Sequence, residues 1–350
     1  MEIETLFDRL IRNHHLSAEE YAFLVAHRTP QLAERLSAEA VRLRKKIYGN
    51  TIFIRGLIEI SNICKNDCLY CGIRRSNAAC TRYRLSEEEI LSCCAEGYRL
   101  GFRTFVLQGG EDGYYSDERL VPLLQEIKAR YRDCALTLSL GERSRESYER
   151  LFAAGADRYL LRHETADKEH YKRLHPDEMD FDHRMHCLQE LKEIGYQTGC
   201  GFMVGSPLQT AEHIGKDLAF IEAFQPELCG IGPFIPHMHT PFAKERQGTA
   251  ELTCFLLSIL RIQKPNLLLP ATTALGTIEA GGREKGILSG ANVIMPNLSP
   301  MGVRKKYELY NNKLSTGDES AQQVEHLKER MKSIGYEIVT DRGDIQNKVI

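Results

Sequence analysis

Apolar residues recur along this chain at two spacings. Short runs rich in aliphatic and β-branched residues, each ended by glycine or a polar cluster, predict strands over 52–60, 104–108, 135–139, 158–162, 197–204, 228–231, 267–271 and 291–295. Helical spacing fills the gaps at 181–194, 214–224 and 252–262. Ser86 with Glu89 forms a capping box ahead of 90–100, and Ser144 precedes a helical stretch at 148–152. Eight strand-then-helix units predict an α/β chain folded as a (β/α)8 TIM-type barrel over residues 49–310. An open, doubly wound sheet is the rival, and eight units within about 250 residues favour closure.

The two ends extend this barrel with helices. In residues 1–48, Thr29 caps Pro30, and Leu32, Leu36, Ala40, Leu43 and Ile47 mark one helix face; Ser17 and Glu20 form another capping box. This segment is expected to be a helical lead-in covering one barrel end. In residues 311–350, Ala321, Val324, Leu327, Met331 and Ile334 predict an amphipathic helix, with a tail, packed on the outside of the barrel.

Composition narrows the function classes. The chain has 350 residues, 46 Lys and Arg against 48 Asp and Glu, and a net charge of −2. A near-neutral balance argues against a dedicated nucleic-acid binder. No apolar run approaches the ~18 residues of a membrane span. The start, Met1-Glu2-Ile3-Glu4, lacks the basic-then-apolar order of a signal peptide. A cytoplasmic location with reduced thiols is expected, which leaves 11 cysteines to be explained by metal, catalysis or burial.

Three of them stand together in Cys64-Lys-Asn-Asp-Cys68-Leu-Tyr-Cys71, directly after the first predicted strand. A structural zinc site would need a fourth ligand from elsewhere in the chain, because no other C-x-x-C pair is present. A [4Fe–4S] cluster held by three thiolates instead keeps one iron open to a ligand. Lys65, Arg74, Arg75, Arg82 and Arg84 either moderate the charge of such a cluster or belong to a solvated loop. The remaining eight cysteines default to small buried hydrophobes.

The C-x3-C-x2-C spacing, with Tyr70 before the third cysteine and Gly72 after it, resembles the radical S-adenosylmethionine (SAM) enzymes. That resemblance implies one [4Fe–4S] cluster on Cys64, Cys68 and Cys71, with the open iron chelated by SAM. It also implies reductive cleavage of SAM to methionine and a 5′-deoxyadenosyl radical. The later strand ends then supply SAM contacts, and Tyr70 is counted with them. Gly109-Gly110-Glu111 matches the turn that receives the SAM ammonium in the family. Glu164 is suited to ribose hydroxyls or the ammonium, while Arg162 and Arg184 are suited to a carboxylate. Gln108 and Ser139 join the SAM set, and Met203 lies on the strand similar to the one that contacts adenine. Thr137, Thr272, Thr273 and Tyr307 are expected to line the substrate end. His237 and His239 read as satisfied loop histidines rather than metal ligands.

Further strings, including Tyr159 to Ala166, Gly230 to Pro241, Pro270 to Thr277 and Gly290 to Pro300, resemble one branch of the family, the maturases of [FeFe]-hydrogenase. The resemblance spans about residues 40–310. It implies a role in assembling the hydrogenase's di-iron subcluster. The substrate would be a mononuclear iron–carbonyl–cyanide–cysteine unit whose sulfur the adenosyl radical attacks, with HydG and HydF as partners, an electron donor, and a low-oxygen setting. Two departures stand out. No cysteine follows Cys254, so the second cysteine set of some members is missing and Lys313 to Ser320 occupies that stretch; and Val303 stands where an aromatic residue can occur. The alternatives are a methylornithine-synthase-like mutase, a biotin-synthase-like sulfur insertion, and a non-catalytic iron–sulfur or zinc scaffold.

Overall fold

A computed structural model describes residues 2–315 and 317–346; residues 347–350 of the expected C-terminal tail lie outside them. The predicted strands form a ring of parallel pairs. The first strand is broken at Arg55 into Thr51–Ile54 and Gly56–Ser61. Its second half pairs with Thr104–Gly109, which pairs with Ala135–Ser139, then Arg158–Leu160, Gln197–Cys200 and Leu228–Cys229. Single parallel bridges carry the ring on, Leu228 to Leu268 and Pro270 to Val293. Val293–Ile294 and Asn297 then return to the first strand at Phe53, Ile54 and Leu57. The ring closes, so the open-sheet rival is set aside. The seventh position is the thinnest: Leu267 to Ala271 makes bridges but no strand, and Pro270 has no N–H to give a ladder.

The helices follow the capping signals. Ser86 and Glu89 make the reciprocal box at the head of Glu87–Arg99, and Ser144 caps Arg145–Ala153. Phe181–Ile194, Ala211–Phe224 and Ala250–Gln263 form at the predicted spacing. One long helix, Asp117–Arg130, escaped the pattern reading. Pro122 sits inside it, so its interior reads as a break in the sequence.

The lead-in departs from its expected place. Its helices, Ile3–Asn13, Ala18–Ala26 and Pro30–Tyr48, lie mainly along the barrel's side. Ala18–Ala26 packs on Ala211–Phe224, and Pro30–Tyr48 packs on Ala250–Gln263. The end of this lead-in reaches the barrel floor, where Ile47 and Tyr48 pack with Phe53, Leu228, Leu268 and Val293 and Arg44 donates to the Thr51 carbonyl. The floor is closed largely by the other terminus. After the helix Val324–Ser333, Glu337–Val339 adds a parallel strand to Thr51–Ile54. The chain then runs beneath the barrel. There Asp344 meets the buried guanidinium of Arg158 at 2.5 Å, and the Arg342 carbonyl accepts from Arg158 and Thr104. Among the described residues no helix is long and apolar enough to cross a membrane.

Candidate active site

The opposite end of the barrel, where the strands terminate, holds a cavity of about 370 Å3. Strand register decides which side chains face it. Glu59, Gln108 and Ser139 are paired neighbours on the first three strands, so all three point inward together. Thr137 lies two residues below Ser139 on that inward side. It is not on the cavity wall: its hydroxyl is buried one layer deeper, without a hydrogen-bond partner. The sequence reading placed Thr137 at the substrate end, and the depth of the strand removes it.

The cysteine loop folds over this cavity by using its basic residues internally. Arg74 grips Asp67 with two bonds of 2.8 and 2.7 Å. Arg82 donates to the carbonyls of Asn62, Ile73 and Arg74, and Asn62 ties the loop to Thr81 and Lys306. Arg75 pairs with Glu178, Arg84 with Asp112 and Lys65 with Glu111. All five basic residues therefore have structural partners. Arg82 nevertheless sits close enough to ease the ionisation of Cys64 and Cys71.

Cys64, Cys68 and Cys71 line the cavity together. Gly110 makes this possible: a β-carbon there would meet the Ile63 carbonyl at 2.3 Å and the Cys64 side chain at 2.7 Å. The Glu111 N–H points at Cys64 Sγ at 3.4 Å, and Cys68 Sγ approaches Met179 Sδ at 3.6 Å. Burial pushes all three thiols up, Cys71 to about 12, and Cys68 is raised further by its two cysteine neighbours. Such a set holds its protons until a metal displaces them. No fourth thiol shares the wall, and among the described residues no group of three or more ligating side chains converges as for a single ion. The donor set fits a larger, three-thiolate cluster with one open position.

Beside the thiols lies a charged array. Arg184 forms an ion pair with Glu142 at 2.6 Å and stands 3.8 Å from Glu111, whose second oxygen meets Lys65 at 3.1 Å. Burial works against the Arg184 charge, but Glu142 and Glu111 outweigh it and hold the guanidinium above its ordinary range. Arg162 pairs with Glu164 at 2.9 Å. Glu164 adopts a left-handed backbone, φ +65°, at the end of the fourth strand. Its N–H donates to Gly201 and its carbonyl accepts from Met203, which fixes the strained turn between two strands. Strain of this kind at a cavity wall aims a side chain.

An apolar corner completes this side. Met203 packs with Phe234, Leu174 and Tyr70. The Tyr70 hydroxyl meets His175 Nε2 at 3.2 Å, and His175 donates its other nitrogen to the Tyr171 carbonyl. At the far side, Thr272 lines the cavity with an unpartnered hydroxyl, whereas the Thr273 hydroxyl is spent on Glu319. Gln108 reaches the Tyr307 hydroxyl at 3.5 Å. Tyr307 and Tyr310 line the wall and Val303 does not. His237 is buried, its Nδ1 accepting the His239 N–H.

Of the predicted residues, Thr137 alone lies off the wall; Gly109, Gly110, Glu111, Ser139, Arg162, Glu164, Arg184 and Met203 are all on it. The sequence reading missed Glu142, His175, Glu59 and Lys313. Glu59 left a signal, a lone charge inside the apolar run Leu57 to Ile60. The others read as ordinary surface charges.

Comparison with known proteins agrees with this geometry. Residues 58–221 match the Radical SAM superfamily. The chain is 47% identical over 281 residues, 80% of each chain, to the [FeFe] hydrogenase maturase subunit HydE of Thermotoga maritima. Its fold resembles crystalline methylornithine synthase (PylB), with a TM-score of 0.82 at 26% identity over 95% of this chain and 97% of that one. It also resembles the maturase HydG from Carboxydothermus hydrogenoformans, with a TM-score of 0.78 at 21% identity over 96% of this chain and 79% of that one. Identity at this level over four-fifths of both chains places the protein: it belongs to the radical SAM superfamily, in the family of the HydE maturase.

Proposed function

We propose that this radical SAM enzyme, working with a [4Fe–4S] cluster and SAM, takes part in assembling the di-iron subcluster of an [FeFe]-hydrogenase. The observation that carries the reading is the likeness to the HydE maturase, 47% over 80% of both chains, joined to three free thiols on the wall of one cavity. Cys64, Cys68 and Cys71 are the residues to hold the cluster. Bound there, it supplies the electron that cleaves the SAM sulfonium and releases a 5′-deoxyadenosyl radical.

The chain's own residues bind and orient. The Gly109–Glu111 turn and the Glu164 carboxylate suit the ammonium and ribose of SAM, and Arg184 suits its carboxylate. Met203, Phe234 and Tyr70 offer an apolar corner for adenine. Gln108, Ser139 and Arg162 belong to the SAM side, and Thr272, Thr273 and Tyr307 face the space left for the substrate. The closed floor shuts one end of that space to water, which limits the access of stray hydrogen donors to a reactive radical. An organometallic iron–cysteine unit is the proposed substrate, HydG its source and HydF the recipient, with a separate electron donor.

Complementation tests the reading. A hydrogenase maturation mixture lacking its HydE-type protein should regain hydrogen evolution when this chain is added with SAM and a reductant. Failure by a protein that still yields 5′-deoxyadenosine would sink the hydrogenase role and leave the radical chemistry. The PylB-like architecture makes a methylornithine-synthase-like mutase the second reading. Formation of methylornithine by the reconstituted enzyme would establish it.

A further inference from the structure

Away from the Glu111, Glu164 and Arg184 array, the cavity wall carries one further pair of charged side chains, Glu59 and Lys313. Glu59 is fully buried in the first strand and faces the cavity. Its two oxygens accept from Asn297 at 2.8 Å and from the Lys313 ammonium at 2.6 Å. Lys313 is almost as buried, with 8% of its side chain exposed, and it also lines the cavity. Its ammonium lies 5.2 Å from the Tyr307 ring centre. An ammonium has three N–H donors. Among the described residues Glu59 takes one and no other oxygen or nitrogen acceptor meets Lys313, so two donors are left between the Tyr307 ring and the cavity.

A solvated lysine turns spare donors to water at little cost. A buried one loses that option, and the unmet donors become a demand for an acceptor. A purely structural pair would also spend the remaining donors on nearby carbonyls, as Arg82 does in the cysteine loop. The cavity side of Lys313 is instead left open, and the Thr272 hydroxyl, also unpartnered, lines the same cavity.

We propose that Lys313, held in place by Glu59 and Asn297, is the binding residue for a carboxylate on the substrate. A carboxylate supplies the acceptors that the ammonium lacks, and the bond to Glu59 keeps the lysine aimed. The groups proposed above for SAM include Glu111, Glu164 and Arg184, so this further cation is assigned to the substrate. This inference rests on the proposed function, because it takes the substrate's amino-acid ligand to be the carboxylate's source.

Binding measurements on the reconstituted full chain with SAM test it. The paired ligands are L-cysteine and cysteamine, which differ only in the carboxylate. The parent protein should bind L-cysteine about tenfold more tightly than cysteamine. Lys313→Met alone strands a buried Glu59 and risks misfolding, so the decisive variant is Glu59→Gln with Lys313→Met, which removes both charges and keeps the shape. With its unfolding midpoint near that of the parent, the double variant should bind both ligands equally weakly. A preference for L-cysteine that survives in the double variant overturns the proposal. So does a parent protein with no such preference, including one that binds neither ligand. Hydrogenase complementation is scored separately, so failure of the anchor and failure of the maturase role give different results.

Discussion

The carboxylate of Glu111 occupies the space that a side chain at position 141 would fill. A β-carbon on Gly141 would come within 2.3 Å of Glu111 Oε1 and 2.0 Å of its Cγ. Gly141 also has φ +77°, a conformation that any other residue adopts under strain. The ends of the second and third strands thus share one volume, and the glycine yields it to the acid.

Gly141→Ala therefore tests the place of Glu111 in the SAM site. The variant should fold with a modest loss of stability, about 1 kcal/mol. Its affinity for SAM should fall about tenfold or more, roughly 1.4 kcal/mol, because the carboxylate must leave its position beside Arg184 and Lys65. Equilibrium dialysis with SAM measures this; unchanged affinity in a folded variant would remove Glu111 from the site.

Cys68→Ser should abolish the cluster, since a hydroxyl does not replace a thiolate on iron. Iron and labile sulfide should fall to near zero after anaerobic reconstitution, and 5′-deoxyadenosine should vanish with them. A parent protein that binds one zinc and no sulfide would favour the scaffold reading instead.

Burial pushes the pKa of His175 down to about 3, from 6.5. Between those values the unfolded chain binds a proton at His175 that the folded chain does not. Stability therefore falls as pH drops through this window, by about 2 kcal/mol from pH 7 to pH 5 for this residue. His175→Gln should remove that share. Urea unfolding of the apoprotein at the two pH values gives the difference, and an identical pH dependence in parent and variant would contradict it.

Arg158 is buried beneath the barrel, and Asp344 is its ion partner from the C-terminal tail. Asp344→Ala leaves that guanidinium without its charge partner. The expected cost is about 3 kcal/mol, the low end for a broken buried pair because Asp344 itself keeps some contact with water. A chemical denaturation series measures it; a loss well below about 1 kcal/mol would mean that the Thr104 hydroxyl and Arg342 carbonyl suffice.

By itself the sequence determined the order of strands and helices and the chemistry of the cysteine loop. Those features come from short-range causes. Side-chain period distinguishes a strand from a helix, a capping residue bonds three positions ahead, and three thiols within eight residues can serve one cluster wherever the loop lies. It also marked the strand-end residues, because a barrel delivers every strand end to one face.

Only the tertiary structure decided how deep each side chain lies and which charge each one meets. Thr137 and Ser139 look alike in sequence, yet one strand period separates a buried hydroxyl from one at the cavity. Glu59 and Lys313 stand 254 residues apart, and Asp344 reaches Arg158 across 186. In the sequence Glu59 stands out only as a lone charge in an apolar run, and Lys313 and Asp344 are indistinguishable from surface charges. Their partners are set by ring closure and by the path of the C-terminal segment, which carry distant residues out of water and into one another's reach.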